Sequence, residues 1–337
     1  MSEARRVRWG VLGCARIAVG KVLPAMQRGS WCTVAAIASR DRGRADEAAR
    51  ALGIARAYGS YDDLLADPSI EAIYNPLPNH LHVPWTIRAA EAGKHVLCEK
   101  PIALSAADAA DLLAVRDRTG VLIQEAFMVR TAPQWIAAHD LVRAGRLGTL
   151  RAVSGFFSYF NEDAANVRNV AEYGGGALLD IGCYLVNTSR LLFAREPERV
   201  AAFVDRDPRF GVDRLSSLML DFGNGQAVGT CATQLAPFQR MQIFGTEGRL
   251  EIEIPFNAPP DRPCRLTLWR GVHSLFGEEE HLEIPAADQF TIQGDLFSKA
   301  IREQVRAPYP LEDSVLNMRV IDALFRSAAD RRTVPVG

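Results

Sequence analysis

The sequence predicts two α/β halves of different texture: an N-terminal doubly wound parallel sheet, then a C-terminal α+β half built on a large open, mainly antiparallel sheet. Three observations predict it. Short apolar strands alternate with helical stretches from Val7 to Gln124; a glycine-bearing turn, Gly13 to Ala18, joins the first strand to the first helix; and from Leu150 the strands lengthen and follow one another through tight turns. A length of 337 residues suits two domains, and the change of texture divides them into residues 1–125 and 126–337. With 48% hydrophobic and 23% charged residues, packed cores are expected. A net charge of -1, with the basic residues scattered, supplies no field for nucleic acid or an anionic membrane. Met1 to Arg8 is basic, but the apolar run after it is broken by Arg16 and Lys21, so neither a signal peptide nor a membrane span is expected. Cysteines 14, 32, 98, 183, 231 and 264 lack metal-ligand spacing. No metal site is expected, and reduced thiols in a cytoplasmic protein are.

In chain order, strand Val7 to Leu12 enters Gly13-Cys14-Ala15-Arg16-Ile17-Ala18 and a helix to about Arg28. This is the Gly-x-Gly-x-x-Gly/Ala dinucleotide fingerprint with Ala15 in the middle position. It works if Ala15 holds φ below zero: Gly13 makes the tight turn, Ala18 lets helix and strand approach, and the helix N-terminus faces a pyrophosphate. The second strand, Thr33 to Ala38, ends in Ser39-Arg40-Asp41. An acidic side chain there would accept from a ribose 2'-hydroxyl, whereas a hydroxyl and a guanidinium suit a 2'-phosphate. NADP is therefore expected ahead of NAD, with Asp41 the residue that would serve NAD.

Helices Arg42 to Leu52 and Tyr61 to Ala66 and strand Ala72 to Tyr74 continue the alternation. Next comes a proline-rich loop, Asn75-Pro76-Leu77-Pro78-Asn79-His80-Leu81-His82, placed where a nicotinamide would lie; a helix beginning near His82 would direct that ring toward the cleft. Strand Val96 to Cys98 then ends in Glu99-Lys100-Pro101. Pro101 fixes its own φ and keeps Lys100 out of the helical region, so covalent geometry aims the lysine. Ser105 caps a helix reaching about Arg118, with Asp108 three residues on. Strand Val121 to Gln124 closes the half, and helix Trp135 to Ala144 follows.

Strands are expected at Leu150 to Phe160, Arg199 to Val204, Leu215 to Phe222, Gln226 to Gln234, Gln239 to Phe244 and Arg249 to Ile254. Phe156, Phe157, Tyr159 and Phe160 leave little alternation, which predicts that both sheet faces are covered, one by a helix and one by another subunit. The polar stretch Asn161 to Asn169 carries Arg168, expected to touch substrate, in a loop with no reason to be ordered except by a ligand or partner. Gly174-Gly175-Gly176 announces a helix on which Asp180 and Tyr184, four apart, share a face. Either these two line a cleft, or Asp180 binds the glycine-loop amides and Tyr184 is a core aromatic.

Gly13-x-x-x-x-Ala18, Pro78-Asn79-x-x-His82, Ala92-Gly93-Lys94-His95-Val96-x-x-Glu99-Lys100-Pro101 and Gly174-Gly175-Gly176-Ala177-Leu178-x-Asp180-x-Gly182-x-Tyr184, in that order, resemble the glucose-fructose oxidoreductase / inositol dehydrogenase (Gfo/Idh/MocA) family. Tyr184 resembles the branch of NADP-dependent D-xylose dehydrogenases, dihydrodiol dehydrogenases and deoxysugar 3-ketoreductases, where other members have histidine. The resemblance implies a Rossmann domain and an open-sheet domain with substrate between them. It also implies a homodimer or homotetramer through the sheet, and a cis Lys100-Pro101 peptide. Lys100, Tyr184 and Asp180 would be catalytic, and Lys100, Arg168, Asp180 and Tyr184 would meet substrate. Gly13, Ala15, Arg16, Ile17, Ser39, Arg40, Leu77, Pro78, Asn79, His82, Glu99 and Lys100 would hold the cofactor. Hydride exchange between a carbinol carbon and nicotinamide needs a proton carrier and a positive charge beside the developing alkoxide, roles that Tyr184 and Lys100 can fill. Aldose oxidation at C1 is the expected activity, with 3-keto-sugar reduction and diol oxidation behind it. The family also holds silent dinucleotide sensors and NAD-using glycosidases; an intact Lys100, Asp180 and Tyr184 argues against the first, and Ser39-Arg40 against the second.

Overall fold

Val7, Trp9, Val11 and Leu12 are fully buried, and the strand they form, β1 (Val7–Leu12), lies inside a six-stranded sheet. The structure is a computed structural model describing residues 6–271 and 277–337; residues 1–5 of the basic N-terminal stretch lie outside it. The chain divides into two compact units, one of residues up to Met128 with Phe290–Val315, the other of Val129–Gln289 with Leu316–Gly337.

In the first unit β1 is joined by β2 (Cys32–Ala38), β3 (Arg56–Tyr58), β4 (Ala72–Asn75), β5 (His95–Cys98) and β6 (Ile123–Glu125). The order is β3-β2-β1-β4-β5-β6 and every pairing is parallel. The order reverses between β1 and β4, so the carboxyl ends of these strands open on the crevice where such sheets bind ligands. Gly13, Ser39, Leu77 and Lys100 all follow strand ends on this edge. Helix α1 (Leu23–Arg28) extends a single π-helical turn at Ala18–Val22, while α2 (Arg42–Leu52) and α3 (Tyr61–Ala66) begin at side-chain caps from Asp41 and Ser60. The loop after β4 leads into α4 (His82–Glu91), and α5 (Ala106–Thr119) is capped by Ser105.

Residues 290–315, on the far side of the boundary expected at 125, cluster with this first unit. Buried Trp9 donates its indole N–H to Ser298 (3.0 Å), Asp295 accepts from the amides of Ser30 and Trp31, and Arg302 grips both oxygens of Glu71. These partners are hundreds of residues apart, and no local pattern announces them.

The second unit holds a nine-stranded sheet in the order β14-β13-β12-β11-β7-β10-β9-β8-β15. Its strands are β7 (Leu150–Phe160), β8 (Arg199–Arg206), β9 (Asp213–Asp221), β10 (Gln226–Ala232), β11 (Gln234–Gly245), β12 (Gly248–Ile252), β13 (Cys264–Arg270), β14 (Glu278–Ile284) and β15 (Val334–Pro335). Among the described residues all pairings are antiparallel except β7 with β10. β11 begins five residues before the expected strand; Pro237 reads as a break, and the structure absorbs it in a register shift between Gln234 and Phe238. Beyond Ile254 the sequence pattern predicts no element, yet β13, β14, α8 (Gln289–Glu303) and α9 (Leu311–Asp330) form there. The charged run Glu278-Glu279-Glu280 conceals a sheet-edge strand.

One sheet face packs on α6 (Pro133–Arg143) and α7 (Cys183–Phe193). The alternation missing from the β7 sequence is present in the structure: Phe157 lies under Tyr184, while Phe156 meets Phe238 on the opposite face. That opposite face exposes Phe203, Met219, Val228 and Phe238. Both faces being covered, as β7 predicts, is therefore not achieved within one chain.

Candidate functional site

In the first unit, Gly13 turns at φ 83°, and a Cβ there would lie 3.0 Å from Leu77 Cδ2. The turn is thus open only to glycine, and it brings the helix start at Ala15, Arg16 and Ile17 to the carboxyl edge. Ala15 fits the condition set for it: among the described residues, only Ala194, Gln304 and Arg331 hold positive φ without being glycine. After β2, Ser39 is buried and its Oγ accepts from the Asp41 amide, while Asp41 Oδ1 accepts from the Arg44 amide. Asp41 is thereby committed to capping α2. Arg40 stays exposed beside the Tyr61 hydroxyl, whose pKa burial raises and the guanidinium opposes. These features fit a dinucleotide with a 2'-phosphate.

Asn75, fully buried at the end of β4, knots the next loop. Its Oδ1 accepts from the Leu77 amide, and its Nδ2 donates to the His82 carbonyl and to Thr86 Oγ1. Leu77 is buried, and Pro78 and Asn79 lead into a short 3-10 turn. His82 does not point outward from this loop. It is 1% exposed, with Nδ1 2.7 Å from the Pro101 carbonyl and Nε2 2.7 Å from the Leu77 carbonyl. Burial lowers its pKa to about 4. Instead of reaching toward a ligand, the ring is enclosed between the loop after β4 and the segment after β5, and, being neutral, it donates to one of the two carbonyls and packs against the other. In that segment Tyr74 donates to Glu99 Oε1 (2.7 Å), the Lys100 amide donates to Glu99 Oε2, and Glu125 accepts from the Ile102 amide. The Lys100-Pro101 peptide is cis. Lys100 thus stands on a backbone held from both sides.

In the second unit, Asp180 lies in a π-helical turn, Leu178–Gly182, that runs into α7. Such turns cluster at functional sites. Tyr159, on β7, donates to Asp180 Oδ2 at 2.5 Å, and Arg168 Nε donates to the same oxygen at 2.8 Å. The amides of the glycine turn go elsewhere: Gly176 and Gly175 donate to the carbonyls of Arg168 and Val170. Asp213, 1% exposed, accepts from the Leu178 amide and Ser216. Burial raises its pKa to about 6. The stretch carrying Arg168 is ordered by its own contacts and needs no ligand to order it. Asn166 Oδ1 accepts from the Arg168 amide, and Asn169 Nδ2 donates to the carbonyls of Asn161 and Asp163.

Tyr184 is 5% exposed in an aromatic cluster, with Phe157 at 5.9 Å and Phe256 at 5.3 Å between ring centroids. Phe256 belongs to the loop after β12, and four side chains fix the loop there. Gln239 accepts from the amides of Phe256 and Asn257, Gln134 donates to the Ile254 carbonyl, Trp135 to that of Pro255, and Gln289 to that of Phe256. Sequence reasoning missed Asn75, Tyr159, Asp213 and Phe256. Only Asn75, beside a proline-rich loop, carried a local signal. Among the described residues no group of three or more His, Cys, Asp or Glu could hold a metal, and no helix is long and apolar enough to cross a membrane.

Residues 7–127 match the family model described as an oxidoreductase family with an NAD-binding Rossmann fold, and residues 135–251 match the Gfo/Idh/MocA C-terminal domain. An uncharacterized oxidoreductase of Rhizobium meliloti is 50% identical over 96% of this chain and 97% of its own. A D-xylose 1-dehydrogenase (NADP(+)) of Haloferax volcanii is 38% identical over 95% of this chain and 97% of its own. The crystal structure of a 3-ketoreductase from Actinomadura kijaniata, in complex with NADP and TDP-benzene, superposes with a TM-score of 0.89 at 31% identity, covering 96% and 98% of the two chains. The strand order, the turn at Gly13 and these matches agree, and the chain belongs to the Gfo/Idh/MocA family of oxidoreductases.

Proposed function

We propose that the protein is an NADP-dependent sugar or polyol dehydrogenase, acting most favourably on an aldose at C1, of the D-xylose type. The observation that carries the cofactor choice is the commitment of Asp41 to capping α2, which leaves Arg40 exposed for a 2'-phosphate. The similarity to the D-xylose dehydrogenase over nearly the whole chain supports the substrate class. Gly13, Ala15, Arg16 and Ile17 would line the pyrophosphate, Ser39 and Arg40 the 2'-phosphate, and Leu77, Pro78, Asn79, Glu99 and Lys100 the nicotinamide end. His82 supports that end from beneath. A dinucleotide held by these residues would supply the hydride-accepting chemistry for the carbinol carbon.

The rest is the work of the chain's own groups. Tyr184 would take the hydroxyl proton, and the Lys100 ammonium would steady the developing alkoxide. Asp180 and Arg168 orient the substrate's other hydroxyls. A second reading, reduction of a nucleotide-linked 3-keto sugar, is favoured by the likeness to the 3-ketoreductase; diol oxidation stands behind it. The exposed apolar sheet face supports a homodimer or homotetramer, and six unbridged cysteines suit the cytoplasm.

The test is absorbance at the reduced-nicotinamide band with NADP or NAD against D-xylose, D-glucose, other aldoses and a dihydrodiol. Reduction of NADP by one aldose is the expected outcome. No change with any of them, in protein that binds NADPH, overturns the aldose reading in favour of keto-sugar reduction.

A further inference from the structure

Three strand ends meet beside the turn at Gly13. The Gly13 amide donates to the Ala38 carbonyl at the end of β2 (2.7 Å), and the Ser39 amide donates to the Tyr58 carbonyl at the end of β3 (3.1 Å). Ala38 and Tyr58 are paired in the sheet, so Arg40 and Tyr61 leave neighbouring strands at the same edge. Tyr61 opens α3 behind Ser60, whose Oγ accepts from the amides of Asp62 and Asp63. Its ring is 7% exposed and meets Trp85 edge to face, with centroids 4.8 Å apart. Trp85 in turn carries the Arg88 guanidinium 4.3 Å from its own ring centroid. The phenol oxygen is thereby fixed against the turn, where a Cβ on Gly13 would lie 3.6 Å from it. Arg40 is exposed, and an exposed arginine ranges over many rotamers unless something holds it. Burial raises the Tyr61 pKa and keeps the phenol neutral; Arg40, the leading positive charge on it ahead of Arg44, opposes that rise as a charge and as a hydrogen-bond donor.

We propose that Tyr61 is a positioning residue for recognition of the adenosine 2'-phosphate. Its oxygen accepts from the Arg40 guanidinium and turns that group across the end of β2, so that the remaining N–H groups face a phosphate on the ribose. This rests on the reading of Arg40 as the 2'-phosphate residue. A guanidinium carries its N–H groups in a rigid fork, so one directed at the phenol leaves others aligned for phosphate oxygens. Holding the arginine before the dinucleotide arrives lowers the side-chain ordering cost of binding. Only a cofactor bearing the 2'-phosphate gains from this, so the phenol contributes to the choice of NADP over NAD without touching the part that the two share.

The test is Tyr61→Phe, which removes the hydroxyl and keeps the ring against Trp85. In fluorescence titrations the Kd for NADPH is expected to rise about three- to tenfold, the loss of one hydrogen bond. The Kd for NADH, which lacks the 2'-phosphate, and Tm should hold. Equal losses for the two dinucleotides overturn the proposal, because a merely structural tyrosine shapes the turn for both; an unchanged Kd for NADPH overturns it as well. Arg40→Ala and the double variant separate the readings. With Arg40 already replaced, Tyr61→Phe should change NADPH binding less than about twofold. A full further loss in that background means that the phenol meets the phosphate directly, and positioning through Arg40 fails. If Arg40→Ala weakens NADPH and NADH equally, the reading of Arg40 fails and the proposal with it. If Arg40→Ala discriminates between them and Tyr61→Phe does not, only the positioning proposal fails.

Discussion

At the scale of single residues, Lys100 and Arg40 carry the sharpest expectations, because other side chains hold their segments, Asp41 capping the helix after Arg40. Glu99, Tyr74 and His82 hold the Lys100 segment. Lys100→Ala should therefore lower kcat by about 10² to 10³-fold with NADPH binding retained; fluorescence titration with NADPH beside turnover assays checks this. Arg40→Ala should weaken NADP at least about tenfold more than NAD, and equal losses would remove Arg40 from the 2'-phosphate site. Asp213 adds a pH dependence. Its folded pKa, about 6, lies above the ordinary carboxylate value of 3.8, so the folded state binds the proton more tightly. Its contribution to stability is fully present below the unfolded pKa and is lost as pH rises through about 6, amounting to roughly 3 kcal/mol. Melting curves from pH 4 to 7 should show wild type losing stability relative to Asp213→Asn across that window.

At the scale of elements, the glycine turn before Asp180 illustrates what a motif does and does not reveal. Gly174-Gly175-Gly176 announces a tight turn, and the turn is there. The partner that requires it, Asp213 on β9, is not readable from the motif. A Cβ on Gly176 would lie 2.0 Å from Asp213 Oδ1, on a backbone with φ 111°. Gly176→Ala should cost about 2 to 4 kcal/mol, read as a lower midpoint in urea unfolding. The Arg168 stretch shows the opposite limit. Its polar composition suggested a loop awaiting a ligand, but Asn166 and Asn169 turn their amides onto neighbouring backbone and order it from within. Strand β7 was legible in its bounds, yet its faces were not, because aromatic residues occupy both.

At the scale of the molecule, the sheet face bearing Phe203, Met219, Val228 and Phe238 asks for cover. Light scattering at micromolar concentration should give a dimer or larger, and Phe203→Glu should shift the mass toward monomer; a monomeric wild type would sink the expectation. Most individual elements were legible up to about residue 254 and obscure after it. Up to that point most elements announce themselves by their own period, cap or turn, Gly13 by its place after β1, Ser105 by Asp108, Lys100 by Pro101, whereas the three-residue strand β3 carries no such signal. The sequence by itself determined the parallel sheet, the family motifs and the residue types available for chemistry, since these rest on contacts within a few residues. Only the tertiary structure decided that residues 290–315 join the first unit through Trp9, Glu71 and the amides of Ser30 and Trp31. It also decided that His82 is enclosed, and that Asp180 is held by Tyr159 and Arg168. Those outcomes depend on pairings across distant stretches, where hydrogen-bond satisfaction in a buried setting selects the partner and local propensity does not.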